Sequence, residues 1–489
     1  MTLRQRIALV VSGAALAATV PIAASAHPTL VVGAAENAVQ TTSLTDSKAQ
    51  LELAAAAGLQ AARIVVPWYG SDVPSSDQLA AYSTTARAAS LVGVRLVVNV
   101  FPAKNTQAPK DEATRAGFAG FVAGLARAES TVREFVIGNE PNKQFFWSPQ
   151  FAPDGAPVSP GAYAALLAAT YDALKAVSAT TVVVGGALAP RGNDRPDAVS
   201  NISISPGNFI LGMGEAYRAS GRSAPIMDRF SIHPYGDRSE QPPTFEHPRS
   251  TTISLGDYTK LVDFLGRAFD GTGQPGSTVP IFYDEYGVQT VAPPEKAALY
   301  TNPDAPLADD AVSDDVQASY YRRALQLASC QPTVVGLLFF HVVDEADLGR
   351  WQSGLYHPDA TPKTSLPAVR TAVLETRRGI IARCPGIRVP VQLLGLRFPR
   401  RTAFPAENTT WRIRAGCAQD CKYVARLEKL PAGSATLMTR GFLVGGAMRT
   451  IELPERQVAS GSYRLTLRLV SRVNAGDPVE RSSRDLSVG

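Results

Sequence analysis

Eight short runs rich in Val, Ile, Leu and aromatic residues recur between residues 29 and 379, at 30–35, 62–67, 94–101, 133–138, 181–186, 229–233, 279–283 and 334–341. Each is followed by an Ala/Leu-rich stretch whose apolar residues return at helical spacing, at 47–58, 78–92, 111–128, 161–177, 208–220, 255–269, 314–328 and 365–378. Strands alternating with helices imply a parallel sheet covered by helices. Eight such units in roughly 350 residues predict a closed (β/α)8 TIM barrel, class α/β. An open doubly wound sheet is the alternative, but Val32-Gly33-Ala34-Ala35 is not the Gly-rich phosphate loop that would follow its first strand. After Pro385 the texture changes. Runs at 389–398, 410–415, 423–427, 441–444, 449–453 and 462–470, separated by Pro, Gly and Asn, predict a small all-β sandwich. The expected division is a barrel over 27–387 and a sandwich over 388–489, with the boundary at 383–388.

The first 26 residues read as a secretory signal peptide. Arg4 and Arg6 precede an apolar stretch from Ile7 to Val20, and Ala24-Ser25-Ala26 is a small-residue cleavage site. The stretch is shorter than the ~20 residues that span a bilayer, so cleavage and export are expected, with a secreted, extracellular or cell-wall location and no membrane span. The formal charge of +5 conceals an asymmetry: residues 27–387 carry 29 basic and 35 acidic groups, the tail from Arg388 onward 17 and 8. The tail's arginines are scattered among strand residues and form no run, so no nucleic-acid partner is expected. A solvated sandwich surface accounts for them, with a cell-wall polyanion as the alternative. Export permits disulfides. Of the three pairings that four cysteines allow, locality favours Cys417 with Cys421 and Cys330 with Cys384. No His stands at ligand spacing from a Cys pair, so neither a metal nor another cofactor is expected.

Chemistry in such a barrel belongs at the C-terminal ends of the strands. Two of those ends carry glutamate. The fourth run closes with Ile137-Gly138-Asn139-Glu140-Pro141-Asn142, the seventh with Tyr283-Asp284-Glu285-Tyr286-Gly287. On these residues the sequence resembles the clan A glycoside hydrolases, retaining enzymes with barrel glutamates on strands four and seven, and within the clan the family five and family thirty-nine types. The resemblance covers about residues 29–380 and does not reach the tail. It implies that Glu140 is the general acid/base, Glu285 the nucleophile, and Asn139 the ligand of the sugar 2-hydroxyl. Arg63, on the second run, occupies the place of the clan's arginine beside the nucleophile. His233-Pro234-Tyr235 resembles the clan's His-x-Tyr, which implies a Tyr235 bond to Glu285 and a His233 near the acid/base. Asp344, Gly354-Leu355 and Thr361-Pro362-Lys363 resemble its closing segment. One departure stands out. The clan ends its eighth strand with a tryptophan beneath the sugar, and here that stretch is Phe339-Phe340-His341, leaving Trp351, ten residues on, to substitute from the loop.

A glycosidic bond needs one carboxylic acid to protonate the leaving oxygen and one carboxylate to attack the anomeric carbon; a separation of ~5–5.5 Å gives a covalent intermediate and retention. The expected activity is therefore that of a secreted retaining β-glycosidase acting on an oligo- or polysaccharide. A catalytically inactive carbohydrate-binding barrel is the alternative. Trp68, Trp147 with Phe145 and Phe146, and Trp351 follow strands, where a ring is either packing or a sugar platform. Trp411 and His341 read as core residues, and the tail, which lacks an aromatic row, as a structural sandwich. The segments 142–160, 236–254 and 290–310 are expected to wall the cleft. The sugar, endo or exo action, and oligomeric state leave no signature.

Overall fold

The computed structural model describes residues 30–305, 310–377, 393–406, 409–417, 421–431, 435–444, 447–454, 457–471 and 480–489. The signal-peptide expectation, the boundary at 383–388 and Cys384 lie outside them.

The eight expected strands form one closed parallel barrel in sequential order, β1 to β8. They are β1 (Val31–Ala35), β2 (Ala61–Trp68), β3 (Arg95–Pro102), β4 (Glu134–Ile137), β5 (Val182–Leu188), β6 (Arg229–Ile232), β7 (Ile281–Tyr286) and β8 (Val334–Phe340). Closure is set by β1 pairing with both β2 and β8, with Gly33 opposite Ala61 and Leu338. A side chain at Gly33 would meet the Ala61 carbonyl oxygen at 2.3 Å, so only glycine lets the seam close. The helices α1 (Leu44–Ala56), α2 (Ser76–Val92), α3 (Glu112–Ala128), α4 (Ser159–Val177), α5 (Pro206–Ala219), α6 (Tyr258–Phe269), α7 (Asp314–Cys330) and α8 (Leu366–Arg377) follow the strands in turn. Their starts are chemically marked. Ser75 with Gln78 and Asp111 with Thr114 form capping boxes on α2 and α3, which satisfy backbone donors that the first turn leaves free. Buried faces of these helices merge with the outer faces of the strands into one core that includes Leu51, Tyr82, Phe121, Leu166, Phe209, Leu265 and Leu325.

The tail carries two antiparallel-based sheets. One has the order β10 (Ala403–Phe404), β16 (Glu480–Val488), β15 (Gly461–Ser471), β12 (Cys421–Lys429), β13 (Ala435–Leu443); the other has β14 (Arg449–Glu452), β11 (Arg412–Cys417), β9 (Leu393–Arg397). Trp411, Ile413, Leu427, Leu465 and Leu467 share a separate core, so Trp411 packs as expected. Cys417 and Cys421 are bonded, joining the start of β12 to the end of β11. Cys330 is also disulfide-bonded.

Candidate active site

β4 leaves the barrel through the left-handed region twice in three residues, at Gly138 (φ +88°) and Glu140 (φ +41°). Glycine takes this conformation freely; at a glutamate it costs on the order of 1–3 kcal/mol and persists only where surrounding bonds impose it. Those bonds are present. Asn99 Nδ2 on β3 donates to the Gly138 carbonyl at 2.7 Å. The Tyr163 hydroxyl on α4 donates to the Ile137 carbonyl at 2.5 Å. The Glu140 N–H donates to the Ala187 carbonyl at 2.7 Å, which the β5 irregularity between Gly185 and Leu188 turns toward it. This irregularity depends on Gly186 (φ +99°), where a Cβ would lie 2.3 Å from the Ser231 carbonyl oxygen.

Glu285, near the end of β7, accepts hydrogen bonds at both oxygens. Arg63 Nη2 donates to Oε1, and the Tyr235 hydroxyl donates to Oε2 at 3.0 Å. Between the two glutamates stands His233: its Nδ1 is 3.2 Å from Glu140 Oε1 and 3.4 Å from Glu285 Oε2. The structure thus brings Arg63, Glu140, His233, Tyr235 and Glu285 together, from strands two, four, six and seven.

A second carboxylate lies beneath them. Asp284, fully buried, accepts from Ser231 Oγ and, at 3.1 Å, from Arg63 Nη1; its Oδ1 is 3.3 Å from His233 Nε2. The same Arg63 nitrogen donates to Asn99 Oδ1 at 3.0 Å. Burial alone would lower the His233 pKa, but the charges of Glu285 and Asp284 outweigh it and push it up to about 10. Burial would likewise raise Asp284, yet His233 and Arg63 hold it below the usual carboxylate value. Burial pushes the Tyr235 hydroxyl up, and Glu285 pushes it further, so it stays a donor. The buried floor therefore holds two cations, Arg63 and His233, against Asp284 and Glu285. Sequence reasoning missed Asp284, Ser231 and Asn99. A signal existed for the first: a charged residue inside an otherwise apolar strand of a barrel is costly unless paired.

Above the floor is a cavity of about 440 Å³, bounded by Asn139, Glu140, Tyr235, Glu285, Phe340 and Trp351 among others. Trp351 does reach it from the loop after β8, with its ring 5.1 Å from Tyr235 and 5.4 Å from Phe340. The segments expected to wall the cleft contribute Lys143 and Phe146, Gly236 to Ser239, and Asp310. Two candidate platforms are corrected. Trp68 is 2% exposed, packs edge-on against Phe118 and donates to the Ser71 carbonyl; Trp147 is 1% exposed and packs against Tyr163. Both rings belong to the barrel's hydrophobic core. The closing segment is structural: Asp344 is buried and bonded to Lys363 at 2.8 Å, away from the cavity wall. His341 is buried as expected, but among the described residues neither ring nitrogen has a hydrogen-bond partner, and Glu345 and Glu36 lie 3.6 and 3.9 Å away. No group of side chains suited to a metal ion occurs among the described residues, and no helix there is long and apolar enough to cross a membrane.

No protein-family model matches the chain, and no curated protein matches it. Among solved structures it is similar to GH5_18 from Streptomyces cattleya in complex with GlcNAc, at 17% identity over 77% of this chain and 84% of that one, TM-score 0.49. It is similar to a glucosidase from Croceicoccus marinus at 13% identity over 91% and 96% of the two chains, TM-score 0.47. A calcium binding mutant of Bacteroides uniformis beta-glucuronidase 2 matches at 13% identity over 94% of this chain, TM-score 0.44; the chain spans about half, 46%, of that protein's length. Likeness at this level adds nothing to the barrel already visible in the strand order, so the functional argument rests on the site.

Proposed function

We propose that the chain is a secreted retaining β-glycosidase, with Glu140 as general acid/base and Glu285 as nucleophile. The observation that carries this is the single imidazole nitrogen within 3.2 and 3.4 Å of the two carboxylates. Two oxygens that close to one atom fall short of nearly all of the ~6.5–9.5 Å over which inverting pairs hold a water. The roles follow from the bonding. Glu285 accepts from Arg63 and Tyr235, the arrangement a carboxylate nucleophile fits, whereas Glu140 faces the cavity beside His233 with no bonded arginine or lysine among the described residues. When Glu285 attacks the anomeric carbon its negative charge is consumed in the ester, and Glu140, having given its proton to the leaving oxygen, becomes the base that activates water. Asn139 borders the same space and is assigned to the sugar 2-hydroxyl. Trp351 with Phe340 forms the platform beneath the sugar. Export is supported by the charge and apolar pattern of the first 26 residues.

The test is a panel of aryl β-glycosides followed by NMR of the first-formed anomer. Expected are hydrolysis with retention and loss of turnover in Glu285→Ala. Wild-type-like rates in that variant would reject the assignment, and sugar binding without hydrolysis by the wild type would indicate a carbohydrate-binding barrel. N-terminal sequencing of protein from the culture medium should begin at His27.

A further inference from the structure

Glu140 borders two cavities. The first also contains Glu285. The second, of about 590 Å³, contains Glu140, Lys143, Gln144, Phe145, Phe146 and Val199 among its walls, and Glu285 is not one of them. Resting on the glycosidase reading above, this asymmetry is informative. The attacked carbon must meet Glu285, and the departing oxygen must meet Glu140. Space that touches only Glu140 therefore holds what departs.

Exposed apolar side chains stand on that wall beside the polar Gln144, Ser200 and Asn201. Phe145 is 80% exposed and Val199 fully exposed, an unusual condition for two large apolar residues that border one cavity. The Phe145 and Phe146 rings meet at 4.9 Å and 82°, which makes a corner instead of the single flat face on which a pyranose stacks. Phe146 is braced edge-on by Phe101 at 5.9 Å, so the corner has a fixed inner wall. Two of the polar side chains are already engaged: Asn105 Nδ2 donates to the Gln144 carbonyl at 2.8 Å, and Lys143 Nζ to Asn201 Oδ1 at 3.2 Å. Among the described residues, Glu140 is the only carboxylate on this wall.

We propose that this second cavity is the leaving-group site and that it takes an apolar aglycone, an alkyl chain or an aryl ring, in place of a further sugar. In the first step the Glu285 carboxylate forms a bond to C1 as the C1–O bond breaks. The Glu140 proton passes to that oxygen, and the neutral alcohol departs along Phe145 and Phe146. Water, deprotonated by Glu140, then releases the sugar and restores both carboxyl groups.

The experiment uses methyl, butyl and octyl β-glycosides of a sugar that the aryl panel shows to be cleaved, together with the matching disaccharide. Alkyl leaving groups have nearly equal acidity, so differences in kcat/KM along the series report contact with the aglycone. Expected is a rise of at least about tenfold from methyl to octyl as the added CH2 groups leave water, with octyl preferred over the disaccharide. In Phe145→Ala the octyl-to-methyl ratio should collapse to within about twofold, and Val199→Ser should lower it in the same direction. A flat series, a preference for the disaccharide, or an unchanged ratio in Phe145→Ala overturns the proposal while leaving the glycosidase reading intact. Cleavage of no glycoside at all overturns both.

Discussion

A carboxylate with no solvent exposure that touches Ser231, Arg63 and His233 cannot be removed without consequence for the two glutamates above it. Asp284 and Glu285 are the charges that, with the Glu140 hydrogen bond, hold His233 protonated, and the Glu285 charge is consumed each time the covalent intermediate forms. The groups facing His233 are Glu140 from β4, Tyr235 from its own strand end, and Asp284 and Glu285 from β7, with Arg63 from β2 behind them. Its folded pKa, about 10, is above the unfolded value of ~6.5. The stability it contributes is therefore fully present below about pH 6.5 and is lost as pH rises through about 10. Asp284→Asn should bring the His233 pKa down, moving that loss, and the alkaline limb of the kcat profile, toward neutral pH. It should also cost on the order of 3 kcal/mol at pH 7, because Arg63 loses a buried partner. Thermal melts and rate profiles across pH, wild type against variant, check both; coincident alkaline limbs would reject the role. Tyr235→Phe removes one donor from Glu285 but no charge, and is expected to lower kcat by about a hundredfold without moving the alkaline limb. The glutamates, His233 and Tyr235 were legible because each ends a strand, or lies near its end, in a recognisable string, and Arg63 because it is a charge inside the apolar run of β2. Asp284 was not, because its partners come from β2 and β6, which only barrel closure brings together.

At the scale of elements, the loop between β8 and α8 depends on one buried ion pair. Lys363 Nζ meets Asp344 Oδ1 at 2.8 Å and donates to Thr290 Oγ1 at 2.7 Å, while the Tyr300 hydroxyl donates to Asp344 Oδ2 at 2.8 Å. These bonds tie the segment that carries Trp351 to the long segment after β7. Burial raises the Asp344 carboxyl above its usual value despite Lys363. Lys363→Met should cost about 3–5 kcal/mol, since it leaves an unpaired buried carboxylate. The deficit should shrink as pH falls, because Asp344, its pKa raised further, takes up a proton. Denaturant midpoints compared at neutral and acid pH measure this, and KM should rise as Trp351 shifts. Trp351→Ala should raise KM without the stability loss, which separates platform from scaffold. Strands of this barrel were readable because a parallel strand buried on both faces is a continuous apolar run. β16 escaped notice for the opposite reason. Glu480, Arg481, Arg484 and Asp485 interrupt its apolar alternation, and it is held by pairing along β15, including a bidentate Arg464–Asp485 bridge.

Among the described residues, the barrel core and the sandwich core come from separate stretches of the chain. The sandwich core is closed by its own strands: Ile413 and Ala415 from the three-stranded sheet join Ala425, Leu427, Leu465 and Leu467 from the other sheet in one apolar cluster. Cores drawn from separate stretches of chain, 30–373 for the barrel and 411–488 for the sandwich, form separate cooperative units, so calorimetry should resolve two transitions. The Cys417–Cys421 bond then assigns them. It closes a loop with a sequence separation of 4, for which lost chain entropy in the unfolded state is worth about 2 kcal/mol. Replacing both cysteines by serine should lower the sandwich transition by several degrees and leave the other in place. The bond joins strands of the two different sheets, β11 and β12, so its loss acts on the sheet-to-sheet contact around Trp411 and not on any barrel strand. A single transition that moves as a whole in this variant would show that the two cores are thermodynamically coupled despite coming from separate stretches of chain.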